Sequence, residues 1–468
     1  MRDPDPMAAG ASRLGAGRLG ADRLGILARY AAARRRRFRD RAHFERWQAA
    51  RLYQALSRAR RVFPYYAEVP APELWCFPIV DKSLVTAHFA HFNDRGLALA
   101  DCLALARRTE AMRDFTAGLA GVSIGLSSGT SGRQSVFLTS PAERRTWAGT
   151  ILAKALPDGL WAGARAALIL RAGGPLYESV GGGRVAFRYF DLAVPLSEHH
   201  SELDRFAPTI LAAPPQALVL LAHARRKGIL SIAPGRIFSI AEVLDPHDQS
   251  LIESTFGVRV DQIYQATEGF LGISCAYGRL HLNEDLLVFE REPVGPGRFT
   301  PIVTDLYRRT QAVIRLRLDD VLVEAPDVGP GSPCACGSVL TVIERVEGRR
   351  DDILLLPHAP HGERAAPATP PGTGAEPGAV RPLFADFVRA AILAAPGVQD
   401  FRVVQDAPDL LHLAVRPASA QAAATDALRA LISHSGLRIP RIEPAAFTPG
   451  PAVVKLRRVQ RTFQASTS

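Results

Sequence analysis

The sequence predicts an α/β protein: a large N-terminal domain of parallel-rich sheets with helices plus a β subdomain, followed by a small α+β C-terminal domain. Three observations predict it. From residue 121, short apolar runs alternate with helical stretches, which argues a largely parallel sheet with helices on its faces. Residues 280–345 are richer in β pattern, as in "LLVFERE", "GRFTPIVTDLY" and "VLTVIERVEG". Residues 357–380 hold six Pro and four Gly in 24 residues and cannot build a packed element. Beyond them the pattern reads helix, strand, turn, strand, helix. The 468 residues exceed what one core needs.

Residues 1–25 contain "SRLGAGRLGADRLG", whose frequent Gly makes poor helix, and read as a flexible tail. Residues 26–120 form a helical N-terminal region of the large domain. Its first helix is expected from Ile26 to about Phe63, with Phe44, Trp47, Leu52, Ala55 and Leu56 on one side. "FPIVDKSLVTAHFAHFN" adds a turn and a second helix, with Asp81 and Lys82 at its cap. Residues 121–348 are the core of the large domain. Its buried strands are "GVSIGL", "RAALIL", "TILAAP", "RIFSIAEVL" and "VDQIYQA", with helices over 141–155, 214–227 and 245–256. Residues 349–468 form the C-terminal domain, with a loop insertion at 357–380, a hairpin turn at "DAPDL" and a last helix over 419–434.

Charge is unevenly placed. Residues 1–66 hold 16 Arg against 5 Asp and Glu, whereas the rest of the chain balances 41 basic with 41 acidic side chains. The run "ARRRRFRDR" offers contact with nucleic acid or an anionic membrane surface, but it lacks the interleaved aromatics of a stacking platform and reads as a solvated helix face. Four lysines, Lys82, Lys154, Lys227 and Lys455, stand against 53 arginines, so each lysine is worth tracing. Five cysteines in so long a chain do not form a disulfide framework, and the expected setting is the reducing cytoplasm. No apolar run is long enough to span a bilayer.

Residues 123–135, "SIGLSSGTSGRQS", match two chemistries. Gly125 to Gly129 fit the G-x-S-x-G elbow of a serine hydrolase with Ser127 as nucleophile, but an elbow leads into a helix and "SVFLTS" is strand-like. A P-loop needs a Lys that this loop lacks. What remains is a Ser/Thr/Gly hairpin loop suited to an anion. Separately, Cys275, His281, Cys334 and Cys336 supply three thiols and one imidazole, the donor set of a closed tetrahedral zinc site, with Gly337 easing the C-x-C-G turn. Buried free thiols are the alternative. The pair His199 and His200 reads as exposed loop or helix start.

The loop is followed by "YQATEG" (264–269), "VIRLRLDD" (313–320), "VEGRRDDIL" (346–354) and "VVKLRRV" (453–459). In that order these resemble the core motifs of the adenylate-forming superfamily of acyl-CoA synthetases and adenylation domains. The chain is most similar there to the phenylacetate–CoA ligase branch, which "RARRVFPYYAEV" and "FPIVDK" also resemble. The resemblance runs from about residue 45 and leaves out the insertion at 357–380.

The resemblance implies activation of a carboxylic acid, aromatic by analogy with the branch, to an acyl-AMP, with ATP and Mg²⁺. Transfer to CoA or to the phosphopantetheine of an acyl carrier protein would follow. It implies an ATP- and acid-binding core over 121–348 and a mobile C-terminal domain. Ser127, Ser128, Gly129, Thr130, Ser131, Gly132 and Arg133 match the phosphate loop; Arg133 stands where the family often has Lys, and Gln134 where it has Pro. Tyr264 matches the aromatic along the adenine, Thr267 the α-phosphate ligand and Glu268 the Mg²⁺ ligand. Asp320 and Arg349 match the ribose-binding pair, with Asp319 one residue out of register. Asp351 matches the hinge, and Lys455 the catalytic lysine, with Val454 where the family has Gly. Some relatives carry a structural zinc at the positions of the Cys/His set.

Three other readings accompany this one: an adenylyltransferase releasing an AMP adduct, a hydrolase using Ser127, and a family member without activity.

Overall fold

The computed structural model describes residues 22–126, 135–156, 158–327, 333–358, 380–448 and 457–463. Two units divide the chain: Met1–Glu292 with Pro301–Leu318 and Glu324–Arg345, and Pro293–Thr300 with Asp319–Val323 and Val346–Ser468.

The first unit opens with two helices where the sequence pattern suggests one. A helix over 22–35 starts before Ile26, and a second runs Arg41–Val62. Asp40 makes the break: its carboxylate accepts from the His43 amide at 2.7 Å and caps the second helix. Phe38, between the helices, packs edge-on against Phe44 with ring centroids 5.0 Å apart. The arginine run is therefore not a uniformly solvated face. Arg36 reaches buried Asp285 at 2.9 Å and Arg41 reaches Glu284 at 2.7 Å. Lys154 Nζ donates to the same Asp285 at 2.8 Å.

A small antiparallel sheet follows, of β1 (Gly118–Leu119), β2 (Val122–Leu126) and β3 (Val136–Thr139). Then comes the large sheet. Its parallel part runs β5 (Val185–Asp191), β4 (Ala164–Leu170), β6 (Ile210–Ala213), β7 (Arg236–Ile240) and β8 (Val260–Ala266) in that spatial order. It continues antiparallel through β9 (Gly269–Ser274) and β10 (Leu280–Leu282), which pairs with residues 342 and 343 of β15 (Val342–Arg349). Three accompanying helices, Pro141–Ala155, Pro215–Arg226 and Pro246–Phe256, each begin on a proline, whose fixed φ suits a first helical position where no amide partner is needed. All three lie within a residue of the helical stretches the sequence predicts, 141–155, 214–227 and 245–256. The core joins Leu56, Phe63 and Tyr66 of the N-terminal helices to Phe238, Leu271 and Val303.

The β-rich stretch supplies β11 (Leu287–Gly295), β12 (Arg298–Asp305), β13 (Leu316–Arg317) and β14 (Asp320–Glu324).

In the second unit β16 (Leu354–Pro357) pairs with β17 (Val380–Leu383). A four-stranded sheet has the order β20 (Arg441–Ala445), β19 (Leu410–Arg416), β18 (Asp400–Ala407), β21 (Val459–Arg461). The β18–β19 hairpin turns at the expected "DAPDL". Helices Ala385–Leu393 and Gln421–His434 contribute Val388, Ile392, Leu428 and Ile432 to a core with Phe401 and Leu413. Among the described residues no helix is long and apolar enough to cross a membrane.

Candidate active site

"YQATEG" is not a plain strand end. Tyr264 lies on β8, and β8 turns into β9 through two residues, Thr267 and Glu268, with Ala266 facing Gly269. The two residues that the resemblance singles out are thus the tip of a tight antiparallel hairpin. A cleft at this tip is lined by Thr267, Glu268, Lys82, Thr86, Arg308 and Ser135. Ser135 is the first described residue after the Ser/Gly loop.

Both tip residues are held. Lys82, first residue of the short helix Lys82–Ala87, places its ammonium 3.0 Å from Glu268 Oε1. Asp81 caps that helix as expected, accepting from the Leu84 amide at 2.8 Å, but Lys82 is an ion-pair partner rather than part of the cap. Burial pushes the Glu268 carboxyl up; the Lys82 ammonium, together with hydrogen bonds from the Glu268 amide and the Thr267 side chain, outweighs it, and the group stays below its usual range. Glu268 Oε2 is buried and has no hydrogen-bond partner among the described residues.

Arg308 holds the other tip residue, donating to the Thr267 carbonyl at 2.7 Å and to the Leu138 carbonyl of β3 at 3.1 Å. Its neighbours bind the same strand. Gln311 Oε1 accepts from the Leu138 amide at 2.9 Å. Glu143 accepts from the Arg309 and Thr310 amides at 2.6 and 2.9 Å while also closing the capping box on Ser140. Residues 308–311 therefore fix the strand leaving the Ser/Gly loop to the β8–β9 tip. Sequence reasoning missed this segment, because it matches no short motif and its partners are distant in the chain.

Ser127, Ser128, Gly129, Thr130, Ser131, Gly132, Arg133 and Gln134 lie outside the described residues, as do Val454 and Lys455. The strands that flank the loop are described. β2 and β3 pair antiparallel, Leu126 facing Val136, so among the described residues the next element after the loop is a strand and not the helix of a hydrolase elbow.

The second unit brings Asp320 and Arg349 together, with Arg349 Nε 3.9 Å from Asp320 Oδ1. The Asp319 carbonyl accepts from the Arg350 amide at 2.7 Å. Asp351 lies 2.9 Å from Arg457 Nη2. Its neighbour Asp352 is the more buried of the two: it accepts from the Arg349 amide at 2.7 Å and from Arg457 Nε at 2.9 Å, and burial raises its carboxyl above the ordinary range. Half-buried His199 bonds the Asp191 carbonyl at 2.9 Å rather than standing exposed.

The Cys/His set does converge. One ligand atom from each of Cys275, His281, Cys334 and Cys336 lies within 4.8 Å of the others. Two similar turns present the thiols. In 275–278 and 334–337, the glycine amide donates to the cysteine carbonyl at 2.8 Å, and Gly278 and Gly337 take φ of 78° and 79°, which a side chain would strain. His281 Nδ1 lies 3.0 Å from the Leu340 carbonyl, which makes Nδ1 the donor and turns Nε2 to Cys336 Sγ at 3.5 Å. Burial pushes the Cys336 thiol up to about 12 and the His281 imidazole down.

No family model matches the chain, and no curated protein matches it. Solved structures do. A 2-hydroxyisobutyryl-CoA ligase in the postadenylation state with 2-HIB-AMP has a TM-score of 0.64 at 19% identity, covering 91% of each chain. The same ligase with R3-HIB-AMP gives 0.62 at 17%, again over 91% of each. Its open conformation with 2-HIB-AMP and CoA gives 0.55 at 18%, over 90% of this chain and 92% of that one. The chain has the fold of that ligase.

Proposed function

We propose that the protein activates a carboxylic acid with ATP. The carboxylate oxygen attacks the α-phosphorus, pyrophosphate leaves with the electrons of the α–β bond, and acyl-AMP forms. A thiol then attacks the acyl carbon and AMP leaves. The observation that carries this reading is the hairpin tip Thr267–Glu268, set in a cleft with Lys82, Arg308 and Ser135, in a chain with the fold of an acyl-CoA ligase. Two anions must meet in this reaction, and cationic side chains fixed in advance lower that cost.

Thr267 is assigned to the α-phosphate, Tyr264 to the adenine, Asp320 with Arg349 to the ribose, and Ser127–Arg133 and Lys455 to the phosphates and the reacting carboxylate. Asp351 is assigned to the hinge. Mg²⁺ fits Glu268, whose buried Oε2 lacks a hydrogen-bond partner among the described residues, and a hard cation takes carboxylate and phosphate oxygens. When bound, it would neutralise phosphate charge. Zn²⁺ fits the Cys/His cluster by donor type and closeness, and its role there is structural. The acceptor is CoA or a carrier-protein phosphopantetheine, and the acid is aromatic. Acid-dependent ATP–pyrophosphate exchange, screened over benzoates, cinnamates, phenylacetates and aliphatic acids, tests the reading. Exchange with an aromatic acid is expected; none with any acid overturns it.

A further inference from the structure

Glu268 is 5% exposed and Lys82 34% exposed. A buried carboxylate demands a counter-charge, and losing one partner of such a pair is costly. Lys82 supplies that charge to Oε1 from the start of a six-residue helix, on a long stem whose head still touches solvent. Glu268 Oε2 has no hydrogen-bond partner among the described residues. A divalent cation on this carboxylate would face the ammonium at close range, and like charges this near repel strongly. We propose that the Lys82 ammonium holds the place of a divalent cation on Glu268, the two serving as alternative counter-charges, so that metal binding releases Lys82 into the cleft. This rests on Glu268 being a metal ligand. It makes Lys82 a positioning residue whose departure is coupled to loading of the site.

The scarcity of lysine makes the test tractable. Lys227 is exposed just past the helix Pro215–Arg226 and serves as internal reference, and Lys154 is tied to Asn283 and Asp285. Acetylation by an N-hydroxysuccinimide ester, read by peptide mass spectrometry, gives the Lys82-to-Lys227 ratio without nucleotide. The ratio is expected to rise roughly fivefold, the scale of a partly exposed ion pair, in Glu268→Gln and in the wild-type protein with millimolar Mn²⁺. A second readout is Mn²⁺ affinity by electron paramagnetic resonance: Lys82→Met is expected to bind roughly fivefold more tightly than wild type, and Glu268→Gln to lose the site.

Equal Mn²⁺ affinity in wild type and Lys82→Met, or no Mn²⁺ binding by either, overturns the proposal, as does unchanged Lys82 labelling in Glu268→Gln. If Lys82→Met does not fold, the labelling arms decide. Acid-dependent exchange by the wild-type protein combined with equal Mn²⁺ affinities would sink this inference alone. No exchange with any acid, combined with tighter Mn²⁺ binding by Lys82→Met, would sink the proposed reaction and leave the alternation of counter-charges standing.

Discussion

Arg308 donates one hydrogen bond to the carbonyl of Thr267 and another to the carbonyl of Leu138. One guanidinium thereby joins the hairpin tip to the strand that leaves the Ser/Gly loop.

Arg308→Met is expected to lower the rate of acid-dependent exchange by about tenfold or more, since small misplacement of a positioning group is costly. It is also expected to cost about 2 kcal/mol of stability, the scale of hydrogen bonds to a charged group. Arg308→Lys should recover part of the rate. An unchanged rate in the methionine variant, with a lowered midpoint in urea, would reduce Arg308 to a structural role.

Asp305 gives a pH signature. Burial raises its carboxyl to about 6, although Arg308 and the Tyr307 and Arg308 amides pull it down. A carboxyl raised in the folded state binds more protons folded than unfolded between its ordinary value and about 6. Asp305 therefore contributes a loss of stability as pH rises through that window. Both amides donate to Oδ1, at 2.7 and 2.8 Å, an oxygen that asparagine keeps. Asp305→Asn is expected to raise the urea midpoint at pH 7 and to change it little at pH 4. A midpoint lowered equally at both would count against this.

Purified protein is expected to carry one zinc per chain by elemental analysis, and Cys336→Ser to lose it and melt at lower temperature. Loss of acid-dependent exchange need not follow, because among the described residues no hydrogen bond or ion pair of the cluster reaches Thr267 or Glu268. Stoichiometric absence of zinc from the wild-type protein would leave the four side chains as packed thiols and imidazole.

Lys455→Ala is expected to depress exchange by roughly a hundredfold or more, the scale for removing one fixed donor to developing charge. Exchange near the wild-type rate would remove Lys455 from the proposed chemistry. Labelling of Ser127 by a fluorophosphonate, which the proposed reaction does not predict, would revive the hydrolase reading.

Local physics is what the sequence by itself determined. The alternation of apolar strand runs with helical stretches located the helices Pro141–Ala155, Pro215–Arg226 and Pro246–Phe256. Turn chemistry located the β18–β19 hairpin and the glycine that closes 334–337. Those signals reside within a few residues of each other. Tertiary structure alone decided that Lys82, which reads locally as a helix cap, neutralises Glu268, and that Arg308 spans two strands. It also decided that the arginine run breaks between helices so that Arg36 and Arg41 meet Asp285 and Glu284. An ion pair imposes no period on either partner's neighbours. It depends on where the fold carries two distant segments and on burial that strips their water, so it leaves no trace in either segment read alone.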